Sequence, residues 1–120
     1  MKVSTTKCFS FEAAHFLPGY DGACSHLHGH SYKLQVTVTS PVDSVTGMVV
    51  DFNVMKSIVK NAILAKYDHA FLNDSFKLPT AENMVMSFFR TLDHEFTNIG
   101  VELESVKLWE TESSFAECRR

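Results

Sequence analysis

Few cysteines and no long apolar run set the first limits on this sequence. The three cysteines, Cys8, Cys24 and Cys118, are odd in number, and their spacings match no disulfide framework. No stretch approaches the ~18 consecutive apolar residues that a membrane span requires. The N-terminal residues alternate between polar and apolar and lack the apolar core of a signal peptide. We therefore expect a cytoplasmic protein with no membrane partner.

Clustered basic charge and a dinucleotide motif are also missing. The chain carries 11 Lys and Arg against 14 Asp and Glu, a formal net charge of −3, and its basic residues form no run or stripe. This pattern argues against nucleic acid as a partner, because proteins that bind it present a basic surface to the phosphates. The lack of a Gly-rich fingerprint likewise argues against a nicotinamide or flavin cofactor.

The 120 residues are expected to form a single domain, residues 1–120. Period-two alternation predicts strands, and a parity change late in the chain, between Leu103 and Val106, predicts a β-bulge. The predicted strands span residues 3–13, 31–39, 48–52, 101–110 and 115–118. Apolar residues at helical spacing predict two helices, one capped by Asp51 or Asn53 and one by Thr80. This order predicts an α+β domain in which two helices cover one face of an antiparallel sheet.

Three histidines are placed where a catalytic metal site could form. His28 and His30 lie two residues apart on the backward extension of the second strand, so both side chains project to its apolar side. His15 ends the preceding strand with the same parity. Three imidazoles without a clear fourth protein ligand are typical of catalytic Zn²⁺. Gly29 is expected to leave room for substrate between the ligands, and His26, of opposite parity, is expected in the loop.

Cys24 precedes the histidines in a loop rich in proline and glycine. It could be a fourth ligand, which would close the metal site and make it structural. It could instead be a thiolate base or nucleophile, with a pKa lowered by the field of the metal. A buried, inert thiol is the third alternative, although such a loop is a poor place for one. The spacing alone does not decide between ligand and base.

Asp68 and His69 form an acid–imidazole pair in the connection between the two predicted helices. A carboxylate beside an imidazole is a common way to orient and tune a general base. The alternative is a histidine that interacts favourably with a helix C-terminus, with Asp68 as its surface neighbour. From the sequence both interpretations stay open.

Glu110 ends an apolar strand and follows Val106 and Leu108 in parity. A carboxylate on that face must be paired or must bind something, because burying it alone is costly. Its natural partner is a guanidine-like edge with two parallel donors, from an arginine, a pterin or a guanine ring. Simple exposure at the strand end is the alternative.

Six short motifs together resemble one known family. In chain order they are FEAAH, CSHLHGH, TGMVVDF, DHAFLN, PTAEN and WET, and they extend from Phe11 to Thr111. This set and its order are similar to the motifs of the 6-pyruvoyl-tetrahydropterin synthase and 6-carboxytetrahydropterin synthase superfamily. The resemblance covers nearly the whole chain, and six ordered motifs are far more specific than any one of them.

The resemblance implies a role for each candidate residue. His15, His28 and His30 match the zinc ligands of the family. Cys24 matches its catalytic thiol, and the pair Asp68 and His69 matches the acid–imidazole group that works with this thiol. The two remaining matches are to substrate-binding positions, Glu110 to the pterin-anchoring carboxylate and Thr80 to a position near the pterin; next to the latter, Ala81 stands where some members carry a hydroxyl.

The resemblance also implies a fold, an assembly and a reaction. The family fold is the tunnelling fold, here expected as a four-stranded antiparallel sheet with two helices on one face. Trimers close into barrels, and two trimers stack into a homohexamer with active sites between subunits. Three residues separate Cys24 from His28, which resembles the bacterial carboxy-forming branch of queuosine biosynthesis, acting on a pterin triphosphate. The pyruvoyl-forming branch and a non-catalytic structural-zinc module are the alternatives.

Overall fold

A computed structural model describes the protein over residues 1–120. It contains one sheet, with strands β1 (Lys2–His15), β2 (His28–Pro41), β3 (Ala70–Phe71), β4 (Glu102–Thr111) and β5 (Ser114–Arg119). Their order across the sheet is β3-β1-β2-β4-β5. All neighbours are antiparallel except β1 and β3, which are parallel. The predicted α+β class and antiparallel arrangement are confirmed, but the sheet has five strands where the family resemblance implied four.

The helices follow the predicted stripes and caps. The first helical run consists of α1 (Phe52–Val59), a π-helical turn (Lys60–Leu64) and α2 (Ala65–Tyr67), and the second helix is α3 (Ala81–Thr97). Asp51 accepts a hydrogen bond from the backbone N–H of Asn53, 2.7 Å, and thereby caps α1. No helix has both the length and the apolar character that crossing a bilayer would take.

The core lies between the helices and one face of the sheet. Alternate residues of β1, β2 and β4 point into it, and both helical runs present apolar residues at three- to four-residue spacing. Twenty buried residues form this single cluster. The largest fully buried side chains are Tyr32, Phe11, Phe88, Phe96, Leu34, Met55, Ile63, Leu72, Met84, Leu92, Leu103 and Leu108. Each buried Leu or Phe contributes roughly 1.5–3 kcal/mol, so the core fixes the register of the strands that carry the histidines.

The prediction of a short strand at residues 48–52 is wrong. These residues form turns and the start of α1. The loop before α1 closes on itself, because the Asp43 carboxylate accepts from the backbone N–H groups of Val45 and Thr46 and the Asp43 N–H bonds the Met48 carbonyl. A short apolar run does not distinguish a strand from a packed loop.

The predicted β-bulge in β4 is confirmed. Thr37 of β2 pairs with Ser105, whereas the next residue, Val38, pairs with Leu103, so Glu104 has no partner. The extra residue restores the inward parity of Leu103 and Val106, both of which are fully buried. The bulge therefore explains the parity change in the sequence.

Candidate metal centre and adjoining clefts

Antiparallel pairing of β1 with β2 brings the three histidines together. His15 pairs directly with His28, and Ala13 pairs with His30, at the end of the hairpin where the 16–27 loop connects the strands. The ring centroids lie 4.7 to 5.0 Å apart. One ligand nitrogen from each ring lies within 4.8 Å of the others. His15, His28 and His30 could therefore bind a metal ion.

Backbone carbonyls fix the tautomers of two of these rings. His15 Nδ1 lies 2.8 Å from the Pro79 carbonyl oxygen, and His28 Nδ1 lies 2.7 Å from that of His26. Because a carbonyl only accepts, each Nδ1 carries the hydrogen and each Nε2 presents a lone pair. A ligand histidine held through its other ring nitrogen is the usual outer-shell arrangement of a metal site.

The Nε2 atoms of His15 and His28 face each other without a proton between them. His15 Nε2 and His28 Nε2 are 3.1 Å apart, and His30 Nε2 is buried with no hydrogen-bond partner. Two lone pairs at this distance repel unless a cation lies between them. Tetrahedral Zn²⁺, with Zn–N bonds of about 2.0–2.1 Å, separates its nitrogen ligands by about 3.3 Å. The donor set therefore fits a metal ion of this kind.

The Tyr32 side chain forms the inner wall of the cluster. It is the next inward residue of β2 after His28 and His30, and its hydroxyl lies 3.3 Å from His15 Nδ1. Burial, reinforced by the negative charge of Glu110, raises the pKa of Tyr32 above its ordinary value. The phenol therefore stays neutral beside the cluster. The sequence indicated only a core residue here, although its parity placed it beside the histidines.

The protonation of His30 is controlled by burial. Desolvation lowers the pKa of His30 below its ordinary value of 6.5; the Glu110 carboxylate opposes this shift, and the charges of His15 and His28 add to it. A lowered pKa keeps the imidazole neutral near pH 7, which is the state that binds a metal.

Glu110 lies where the histidine cluster meets an open cleft. A second irregularity of β4 leaves Glu110 without a partner, since Trp109 pairs with Phe115 and Thr111 with Ser114. Bulges often re-aim a side chain next to a functional site. Here the two carboxylate oxygens lie 3.9 Å from Nε2 of His15 and of His30, and 28% of the side chain is exposed.

Thr80 lines the same cleft as Glu110. This cleft of about 650 Å³ is also bordered by Leu17, Tyr20 and Phe115. The Thr80 hydroxyl accepts from the Asn83 N–H at 3.2 Å and caps α3. The cleft thus combines apolar walls with the carboxylates of Glu82, Glu110 and Glu117, and carboxylates between apolar walls suit a flat heterocycle with a donor edge.

His69, with Asp68 beside it, opens into a second cleft. Asp68 Oδ1 is 3.1 Å from His69 Nδ1 and also accepts from the Glu12 N–H at 3.0 Å. His69 has a left-handed backbone, φ 63°, and 79% of its side chain is exposed. This cleft of about 380 Å³ also contains Gly29 and Ser31. Gly29 therefore lies in one cleft with both His30 and His69, and its role in leaving room for substrate stays a prediction.

Cys24 lies in neither group. It belongs to a half-buried 3₁₀ turn, Ala23–Ser25, whose position is fixed by a 2.8 Å hydrogen bond from the Leu17 N–H to the Cys24 carbonyl. Its sulfur is not among the ligand atoms that cluster around the three histidines. Within one chain the structure thus places Glu110 beside the histidines and in one cleft with Thr80. His69 shares the other cleft with His30, and the thiol lines neither.

Fold and site together define an α+β domain with an open cleft and, beside it, three histidines that could hold a metal ion. The model of the 6-pyruvoyl tetrahydropterin synthase family matches residues 4–120. The chain belongs to this family.

Individual relatives agree with the family. A protein of Haemophilus influenzae named 6-carboxy-5,6,7,8-tetrahydropterin synthase is 38% identical, with 93% of this chain and 95% of that protein covered. One of the same name from Synechocystis sp. is 43% identical, with 92% and 88% covered. The solved structure of Caenorhabditis elegans 6-pyruvoyl tetrahydropterin synthase superposes with a TM-score of 0.88 at 26% identity, with 100% of this chain and 96% of that one covered.

Proposed function

We propose that this protein is a zinc-dependent lyase that converts 7,8-dihydroneopterin triphosphate and water into 6-carboxy-5,6,7,8-tetrahydropterin, acetaldehyde and triphosphate. The observation that carries the proposal is the convergence of three histidine side chains beside Glu110, which also lines an open cleft. The names of the relatives from Haemophilus influenzae and Synechocystis sp. support this product.

Zinc is the proposed metal, held by His15, His28 and His30. Neutral imidazoles suit Zn²⁺, and three protein ligands leave a position open for substrate. Bound there, zinc would polarise the hydroxyl groups of the pterin side chain and so ease the loss of the neighbouring protons. The carbonyls of Pro79 and His26 would keep two of the ligand rings in orientation.

The protein side chains would bind the pterin and move its protons. Glu110 accepts two parallel hydrogen bonds from the guanidine-like edge of the ring, which directs the pterin side chain toward the histidines. Thr80 contributes to the wall of this cleft. The Cys24 thiolate removes a proton, and His69, oriented by Asp68 at 3.1 Å, serves as the second acid–base group.

We further propose that the complete site forms between subunits of a homohexamer, a dimer of trimers. Within one chain His69 opens into a cleft that Glu110 and Thr80 do not line. An exposed imidazole on a left-handed residue is well placed to reach a neighbouring chain. Cys24 of one protomer would then act with the partner's His69, and the polar face of the sheet would line the barrel of each trimer.

The proposed reaction belongs to queuosine biosynthesis in the cytoplasm. The three-residue spacing between Cys24 and His28 supports the carboxy-forming branch, and the three cysteines, without a disulfide framework, suit a reducing compartment. The pyruvoyl-forming lyase is the second candidate, because the structure of the Caenorhabditis elegans enzyme superposes so closely.

Product analysis tests the proposal. Zinc-loaded protein is incubated with 7,8-dihydroneopterin triphosphate, and the products are identified by mass spectrometry, with acetaldehyde trapped as a hydrazone. Carboxytetrahydropterin together with acetaldehyde is the expected result. Pyruvoyl-tetrahydropterin would move the protein to the second candidate, and unchanged substrate would overturn both.

A further inference from the structure

The Asn73 side chain forms a two-bond clamp on the end of β1. Its Oδ1 accepts from the Phe16 N–H at 3.0 Å, and its Nδ2 donates to the Phe16 carbonyl, also at 3.0 Å. The two groups that it bonds are both backbone groups of one residue, immediately after His15. A half-buried amide thus completes the hydrogen bonding of a strand end that has no strand partner.

This clamp is the last step of a parallel ladder. The 68–74 segment lies along β1, and each of its paired residues is 57 positions later in the sequence than its partner in or next to β1. The pairs are Glu12 with His69, Ala13 with Ala70, Ala14 with Phe71 and Phe16 with Asn73. The chain turns into a 3₁₀ helix at Leu72–Asp74, so its backbone leaves the ladder and a side-chain amide takes its place.

We propose that Asn73 is a positioning residue that fixes His15 relative to the Asp68–His69 pair. The Phe16 N–H belongs to the peptide unit that begins at the His15 carbonyl, so a bond to it restricts the backbone rotation next to His15. The same segment carries His69 at its other end. Asn73 therefore sets the offset between a metal ligand of one site and the acid–base residue that the same chain offers to a neighbouring subunit's site. This inference rests on the metal site of the proposed function.

Asparagine is the side chain that this position requires. The clamp needs an acceptor and a donor on one short, planar group, and the amide has both. Aspartate keeps the acceptor for the Phe16 N–H but lacks the donor, so a carboxylate oxygen would face the Phe16 carbonyl. Asn73→Asp therefore breaks one bond of the clamp, and Asn73→Ala breaks both.

Metal affinity tests the inference without substrate. Zn²⁺ binding to the wild type, Asn73→Ala and Asn73→Asp is measured by competition with a chromogenic chelator. We expect the dissociation constant to rise about tenfold in Asn73→Ala, the lower end of the range for outer-shell changes. The dissociation constant of Asn73→Asp should rise as well, and this variant provides the test if Asn73→Ala does not fold.

Val38→Ala is the matched control for a loss of stability alone. Val38 is fully buried and lies ten residues along β2 from His28. This variant should unfold at a lower temperature and bind Zn²⁺ as tightly as the wild type. The inference is overturned if both Asn73 variants keep wild-type affinity, or if Val38→Ala loses as much affinity as they do. A wild-type protein that binds no Zn²⁺ would overturn the proposed metal site together with this inference.

Discussion

The chemistry at the residue scale depends on backbone groups that a sequence does not display. The parity of His15, His28 and His30 follows directly from the sequence, and the structure brings one ligand nitrogen of each within 4.8 Å of the others. What fixes their tautomers is the carbonyl of Pro79, far away in the chain, and that of His26. Because every residue has a carbonyl, no sequence pattern could single these two out.

The pH dependence of the metal-free protein follows from the lowered pKa of His30. In the unfolded chain His30 has its ordinary pKa of 6.5, so as the pH falls below 6.5 the unfolded chain takes up a proton on His30 more readily than the folded chain does. The free energy of unfolding should therefore fall as the pH drops from 6.5 through the lowered folded-state value. Urea unfolding across this range should show a shallower pH slope for His30→Gln than for the wild type, and equal slopes would contradict the assignment.

Cys24→Ala separates a base from a metal ligand. If the thiol is a base, the variant should keep wild-type zinc content and lose a factor on the order of 10² to 10⁴ in kcat. Cys8→Ala, which changes an exposed thiol on the other face of the sheet, is the control and should change neither quantity. Loss of zinc and of thermal stability together in Cys24→Ala would instead favour the structural-zinc module.

At the scale of elements, the β1–β2 hairpin and two irregularities of β4 build the site. The hairpin pairs His15 with His28. The bulge at Glu104 keeps both Leu103 and Val106 directed into the core, and the second irregularity positions Glu110. Helix α3 contributes through its first residues, because Thr80 caps it and the adjacent Pro79 holds His15. One short segment therefore links helix stability to ligand orientation.

Thr80→Ala should destabilise the fold through loss of the helix cap. The hydroxyl that accepts from the Asn83 N–H disappears, at a cost of about 1 kcal/mol, which lowers the melting temperature by roughly 4 °C. Thr80→Ser keeps the acceptor and should stay within a few tenths of a kcal/mol of the wild type. Thermal unfolding of the three metal-free proteins provides the measurement. Equal melting temperatures for Ala and Ser would show that the cap contributes nothing.

The elements predicted well are those whose pattern extends over many residues. Apolar residues alternate with polar ones along β1 and β2 and recur at helical spacing along α3, in each case over ten or more positions. The bulge at Glu104 is visible in the sequence as a change in the parity of the apolar residues. The two-residue strand β3 is too short for any period, and the apolar run at 48–52 packs as a loop. Tertiary contacts determine the conformation of such short segments, so the sequence alone could not predict it.

At the scale of the whole molecule, the candidate catalytic residues divide between two clefts. Glu110 and Thr80 border one, whereas His69 opens into the other, which His30 also lines. The chemistry that we propose needs all of them at one substrate. Assembly of several chains would reconcile this division, and the resemblance of the sequence to an oligomeric family predicts the same.

Mixed oligomers test whether the sites are shared. Cys24→Ala and His69→Ala are each expected to be inactive, but co-expressed in equal amounts they should regain about a quarter of the wild-type rate. That fraction is expected because one site in four would combine an intact Cys24 from one chain with the partner's His69 in random assembly. Differently tagged chains allow purification of the mixed species. A mixed oligomer as inactive as its parents would indicate sites built within single chains.

The most direct test of the central claim is turnover measured against metal content. The protein is stripped with a chelator and titrated with Zn²⁺, and the rate of 7,8-dihydroneopterin triphosphate consumption is followed at each step, with His28→Ala as the matched control. We predict that the stripped protein is inactive, that the rate rises linearly to a plateau at about one zinc per chain, and that His28→Ala stays inactive throughout. Full turnover by the stripped protein would contradict the account.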